Sequence, residues 1–293
     1  MIQFFMSIVV FYLLFIVGSN IEFQNFKSEL RNLKFISIIN LLHLTLLPLV
    51  AICLFWAASL DPIMGTGLLL IAAAPIGAMS NYYVNLARGD LAIAVLFTGT
   101  TSLLSFITAP LICLLIAGFL VHETIGSIPF GQILRHTIPN VFAPVAAGMA
   151  ARFWMRDWIV GWQRQMEMVG LAAVLALVAT VLASQVGDVA VSMVGSAILL
   201  SAVFTILLLG AGWCVAWLTA PVMRQRRTIG LMMGFPARNI GLSTLLAANV
   251  FVKIELAAFG AIFFVTQLLM LVPLALWLRR SAAEAPNQGI IRP

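Results

Sequence analysis

Long apolar stretches recur along the chain, separated by short polar segments, and their length is the first informative property. A bilayer core of roughly 30 Å is crossed by about 20 apolar residues in a helix. Stretches of that size cover 2–18, 37–58, 66–87, 91–119, 134–153, 167–185, 189–219, 229–251 and 256–278. Strand-like alternation is absent over any useful length, so a helical bundle, not a closed barrel, is expected to satisfy the backbone in lipid. The pattern predicts an all-α polytopic membrane protein with nine transmembrane helices. The first stretch has no basic leader and no small-residue cleavage site, and it runs into the charged segment Glu22–Lys34, so it is read as a helix and not as a signal peptide.

Two of the stretches are interrupted by polar residues and proline. The third holds Pro75-Ile76-Gly77-Ala78-Met79-Ser80-Asn81, with Asn85 one turn beyond Asn81, and the eighth holds Gly234-Phe235-Pro236-Ala237-Arg238-Asn239. A proline removes a backbone donor and frees a carbonyl about a turn upstream. Inside a bilayer such a break is tolerated only where it faces protein or a cavity. The two breaks lie in corresponding halves and in spans of opposite direction, which points to inverted repeats with two broken crossing helices and a binding site near the midplane. A simple proline kink is the alternative for either helix taken alone.

Two titratable residues fall deep inside expected spans, where a charge costs about 2.5 to 3.5 kcal/mol on the insertion scale. Arg238 stays charged and needs acceptors, yet no carboxylate lies deep in any span to pair with it. Snorkelling to the nearer face would have to bridge roughly ten residues, or about 15 Å of helix rise. His43, just before Leu47-Pro48, has two readings: a neutral imidazole donating to a carbonyl freed near Pro48, or a functional, proton-coupling group.

Composition and charge agree with a membrane chain. Hydrophobic residues make up 62% and charged residues 9%, and the mean hydropathy is +1.10, incompatible with a soluble domain's mixed surface. Basic residues alternate by side: Lys27, Arg31 and Lys34, then Arg88, then Arg152, Arg156 and Arg164, then Arg224, Arg226 and Arg227, then Arg279, Arg280 and Arg292, against only Arg135 and Lys253 opposite. Cytoplasmic loops collect such residues, so a bacterial-type inner (plasma) membrane protein with the N-terminus outside and the C-terminus cytoplasmic is expected. The formal charge of +6 is explained by that topology and does not indicate nucleic-acid binding. Cys53, Cys113 and Cys214 stand singly in apolar stretches and are expected to pack in the core. No Ser-His-Asp set, phosphate loop or metal-spaced acidic cluster is present, so neither an enzyme nor a bound cofactor is expected. The tail 281–293 is expected to be a short, disordered cytoplasmic segment.

Several of these motifs resemble the bile acid:sodium symporter family. They are Gly18-Ser19-Asn20-Ile21 with Phe26-Lys27, then Gly77-Ala78-Met79-Ser80-Asn81 continued by Leu86-Ala87-Arg88-Gly89-Asp90, and Asn239-Ile240-Gly241-Leu242. The resemblance covers most of the chain and implies a nine-helix form built from a core bundle, about 37–119 and 189–278, and a panel bundle, about 2–18 and 134–185. Ser80, Asn81 and Thr98 stand where the family places polar ligands of one sodium, while Ala94 occupies a position where a hydroxyl is common. In the second crossing helix the family pattern E-x-G-x-Q-N-x-G becomes Gly234, Arg238, Asn239 and Gly241, and a family glutamine in the second span falls on His43.

The resulting expectation is a secondary active transporter of a small or amphipathic organic anion, a carboxylate-bearing metabolite or bile-acid-like compound, with His43, Ser80, Asn81, Asn85, Thr98, Pro236, Arg238 and Asn239 as the substrate-binding or coupling set. Arg238 would take over part of the sodium site, hold the helix ends together and present positive charge to the anion. Sodium coupling is then disfavoured and proton coupling is open. The alternatives are a sodium-independent facilitator, a proton-coupled exporter or, from another class, a non-transporting membrane sensor or scaffold. Beyond the lipid bilayer and the anion no partner is implied, and no oligomeric state follows.

Overall fold

The computed structural model describes residues 2–19, 33–119, 130–184, 191–219, 225–249, 251 and 254–284. Among them the chain is all-helical, with eleven helices: α1 (Ile2–Ser19), α2 (Leu33–Ala57), α3 (Pro62–Ala73), α4 (Met79–Leu86), α5 (Leu91–Phe119), α6 (Phe130–Trp154), α7 (Arg156–Ser184), α8 (Val191–Thr219), α9 (Gln225–Gly234), α10 (Ile240–Asn249) and α11 (Ile254–Glu284). By length and composition three stretches are long and apolar enough to cross a membrane, Lys34–Ala57, Val194–Thr219 and Glu255–Ser281. They lie on three of the nine expected spans. The expected third and eighth spans are each split into two shorter helices, α3 with α4 and α9 with α10.

The outer surface is apolar. Phe4, Leu41, Leu49, Ile206, Trp217 and Leu269 all stand exposed, as helices solvated by hydrocarbon require. This surface also corrects the expectation for the cysteines: Cys53 and Cys214 face outwards and are not buried. In lipid an outward thiol loses nothing relative to a buried one, so apolar context alone does not decide its side. The side chain of Cys113 lies outside the described residues.

Helix boundaries shift where hydropathy and helicity part company. The segment between the fifth and sixth expected spans is helical from Arg156 onward, following α6 after the single residue Met155. Arg156 and Arg164 therefore ride on a helix and not in a loop. At the other end α11 continues to Glu284, so the expected tail begins inside a helix, and residues 285–293 lie outside the described set.

Helices α1, α6 and α7 pack together. The closest approach is between α1 and α6, where Gly18 lies against the Val145 carbonyl and Gly148 against the Phe15 carbonyl. With lipid tails as apolar as leucine, such contacts are driven by van der Waals fit, and small residues allow it. Tyr12 Oη ties α1 to α7 by donating to the Met166 carbonyl at 3.1 Å. On the other side α8 and α11 pack along the two broken pairs, with Phe204 and Phe263 in contact between them.

A methyl group on Gly148 would overlap the α1 backbone. Gly148→Ala is expected to lower stability by about 1–3 kcal/mol, as overpacking does. Gly195→Ala, which has open space around it, is expected to leave stability level or raise it by up to about 1 kcal/mol. Thermal unfolding of the two variants in detergent checks the contrast.

Candidate functional site

Each broken helix has a local cause. Helix α3 starts with Asp61 as cap, its carboxylate accepting from Ile63 N–H at 3.0 Å, and Pro62 at the first position. It ends because Pro75 forces Ala74 into the extended region, with ψ at 144°. Helix α9 ends at Gly234, two residues before Pro236, and the chain turns through Phe235–Ala237 before α10 begins. Between the half-helices the two chains cross as a short antiparallel bridge pairing Ile76 with Arg238. Gly77 N–H donates to Ala237 O at 2.8 Å, and Asn239 N–H donates to Pro75 O at 2.9 Å. The approach leaves no room for a side chain at Gly77, since a Cβ there would lie 2.8 Å from Arg238 O and 3.2 Å from Asn239 Cα.

Three carbonyls at the end of α3 point to Arg238, and of these Ile71 O alone also accepts a backbone bond, from Ala74 N–H at 3.2 Å. Arg238 Nε donates to Ile71 O at 3.0 Å and its Nη2 to Ala72 O at 2.6 Å and to Ala74 O. Nη1 meets Nε2 of His43. A guanidinium has donors and no acceptor, so His43 Nε2 is the acceptor and the ring is neutral in this arrangement. His43 is held edge-on by Phe97 and Phe235, with centroids at 5.2 and 5.6 Å. Arg238 is only 3% exposed. Its charge therefore rests on the negative end of the α3 dipole and on three carbonyls, which explains how a cation sits in this core with no carboxylate beside it. The geometry answers the expectation of an arginine in need of acceptors with backbone, which a sequence pattern does not display.

The second break is closed by a neutral group, Gln267, whose Nε2 donates to Pro236 O at 3.0 Å. At the first break Thr101 Oγ1 accepts from Ile76 N–H at 3.2 Å. Neither residue was among the expected set. The available signal was a polar residue within an apolar stretch, as Gln267 is. Asn239 caps α10, its Oδ1 accepting from Leu242 N–H at 3.1 Å.

The expected residues separate into two groups around this crossing. Ser80, Asn81 and Thr98 lie buried behind it. Thr98 Oγ1 donates to Ala94 O at 2.8 Å and lies 3.4 Å from Asn81 Oδ1, while Ser80 Oγ has no hydrogen-bond partner among the described residues. A Cβ on Gly234 would lie 3.8 Å from Ser80 Oγ, within ordinary contact. Asn85 and Asn239 instead border a cleft of about 820 Å³ on the far side of the crossing. Its floor is the start of α4 (Gly77, Ala78, Met79) and of α10 (Ile240, Gly241), and its opposite wall is α1 and α7. Arg238 borders the cleft, but its guanidinium is turned to the end of α3. The α7 wall brings in Gln163, Arg164 and Glu167, the first two of which lie between the expected spans 134–153 and 167–185.

Loss of the Arg238 side chain strands the carbonyls of Ala72 and Ala74 in a dry site, each worth about 1–3 kcal/mol when unsatisfied, while Ile71 O keeps the Ala74 N–H. Arg238→Ala is expected to abolish a cooperative unfolding transition or lower its midpoint sharply. Gln267→Leu, which frees one carbonyl, is expected to cost about 1–3 kcal/mol. Differential scanning fluorimetry in detergent measures both.

Comparison with known proteins places this geometry among membrane transporters. A family model described as Sodium Bile acid symporter family matches residues 7–194. An uncharacterized sodium-dependent transporter of Bacillus subtilis is 26% identical over 241 residues, covering 80% of this chain and 71% of that protein. Sodium/bile acid cotransporter 4 of Homo sapiens is 24% identical over 234 residues, covering 78% of this chain and 52% of its own length. A probable chloroplastic sodium/metabolite cotransporter of Oryza sativa subsp. japonica is 26% identical over 135 residues, covering 45% of this chain and 32% of its own. The chain thus spans most of the bacterial relative and about half or less of the two eukaryotic ones.

Proposed function

The chain belongs to the Sodium Bile acid symporter family, a family of multi-pass membrane transporters, and from that premise we propose that it carries a carboxylate-bearing organic anion by alternating access, with Arg238 in place of part of the sodium site. The observation that carries the proposal is the guanidinium bound across the end of α3 at the crossing of the two broken helices. Sodium, as the coupled co-substrate, needs oxygen ligands. Ser80, Asn81 and Thr98 keep some of them, but Gly234 supplies no carboxylate. A fixed positive charge about 4 Å from a sodium ion would cost about 4 kcal/mol at an effective dielectric of 20.

The cleft suits the anion. The N-terminal ends of α4 and α10 border it, and free amides with partial positive charge at such ends favour a carboxylate. The relatives named for bile acids and metabolites support the same chemical class. In the proposed cycle α1, α6 and α7 form the panel and the other helices the core, related as inverted repeats in a nine-span topology. Rocking of core against panel would expose the cleft to each side in turn. The alternation of basic segments supports an N-terminus outside and a C-terminus in the cytoplasm.

A facilitator or exchange mode is favoured within this proposal by the contact of Arg238 with His43. Proton coupling through His43 would require the imidazole to give up that acceptor role, bringing a second positive charge against the first. Uptake of labelled organic carboxylates into proteoliposomes tests the proposal under a sodium gradient, a matched pH gradient and no gradient. The expected result is equal equilibration in all three. The double variant Gly234→Glu/Arg238→Gln is expected to gain sodium stimulation of at least about threefold, restoring an oxygen set that sodium accepts. Sodium-driven accumulation by the unmodified protein would refute the assignment of Arg238.

A further inference from the structure

The guanidinium of Arg238 is committed to α3, so an anion in the cleft needs another fixed cation. Helix α7 lines the cleft with one stripe, from Val160 through Gln163, Arg164 and Glu167 to Leu171 and Val174, at the three-and-four spacing of a single helix face. Within it Gln163 Nε2 donates to Glu167 Oε1 at 3.3 Å, which orients that carboxylate along the helix. Arg164 is exposed, and among the described residues it makes no hydrogen bond or ion pair. The stripe changes from polar to apolar along the helix after Glu167, and the mostly apolar wall of α1 contributes Leu13, Ile16 and Val17.

We propose that Arg164 is the residue that recognises the negative charge of the transported molecule, with the rest of the ligand lying along α1 and the apolar part of α7. A guanidinium matches a carboxylate or sulfonate in bidentate geometry, and an arginine with no internal partner loses none of its own bonds on binding one. The proposal rests on the transport reading above and assigns its specificity to the wall opposite the crossing. Positive charge in the molecule is thereby divided: Arg238 closes the broken helix and Arg164 meets the substrate.

The test uses full-length protein in proteoliposomes without ion gradients, with radiolabelled cholate and pyruvate as probes and the neutral amide of the accepted probe as control. Arg164→Gln is expected to raise KM for the anion about tenfold or more while Vmax changes by less than about threefold, the size of one lost charged hydrogen bond. Arg164→Lys is expected to recover part of the affinity. Discrimination between acid and amide should collapse in Arg164→Gln, a readout that a purely structural role would not move. If the unmodified protein moves an anion and Arg164→Gln moves it with unchanged KM and unchanged discrimination, Arg164 is not the recognition residue and the transport reading stands. If the unmodified protein moves neither anion, both proposals fall.

Discussion

The hydrogen bonding of one guanidinium to the end of one half-helix is the constraint on which the crossing depends. Breaking a helix inside a bilayer strands backbone carbonyls that neither lipid nor a continuing helix can satisfy. At the end of α3 two of them, from Ala72 and Ala74, converge on Arg238 together with Ile71 O, which keeps a backbone partner of its own. The charge of the arginine and the partial negative charge of the helix end offset each other. Each group would be costly alone in this environment, and together the fixed positive charge and the helix end lower each other's cost. The antiparallel bridge between Ile76 and Arg238 places the arginine at that spot, and the absence of a side chain at Gly77 lets the two backbones come close enough to pair.

The two breaks look alike in sequence and are closed differently. At the first, a charged side chain reaches across from the opposite half-helix pair. At the second, a neutral amide from α11 takes a single carbonyl, Pro236 O. The asymmetry follows from how many carbonyls each break exposes in one direction: a planar fork with several donors serves a cluster, while one amide N–H suffices for one. His43 completes the first closure as a neutral acceptor, and Phe97 and Phe235 exclude water around it. Removal of either Arg238 or His43 would leave a polar group of the other unmet, so the pair acts as a unit.

Much of this was legible in the sequence, and the misses have physical reasons. Proline beside polar residues within Gly77–Asn81 and Gly234–Asn239 marked both breaks, because those residue types have no other use in a lipid-facing helix. The partners of Arg238 were not legible, because backbone carbonyls carry no residue identity. Burial of the cysteines was misjudged for a related reason: core and lipid are both apolar, so a membrane helix has little amphipathic signal to tell its faces apart, and Cys53 and Cys214 turned outwards. The polar half of α7 was taken as loop because hydropathy fell after Arg156, although nothing in that segment opposes a helix. Gln163 and Arg164, which line the cleft, were hidden by that reading.

A tethered cation also changes what can drive a cycle. A coupled ion biases a conformational equilibrium through its different affinity for the two states, and it draws on a gradient because it binds on one side and leaves on the other. Arg238 does neither, since it is part of the chain in every state. Its interaction energy enters the balance of the two conformations as a constant and shifts only where that balance lies. In the proposed cycle the remaining species that binds and leaves is the organic anion itself. Net movement then follows the anion's own electrochemical gradient, and the electrostatic role filled by a mobile ion in a coupled transporter becomes a fixed property of the fold.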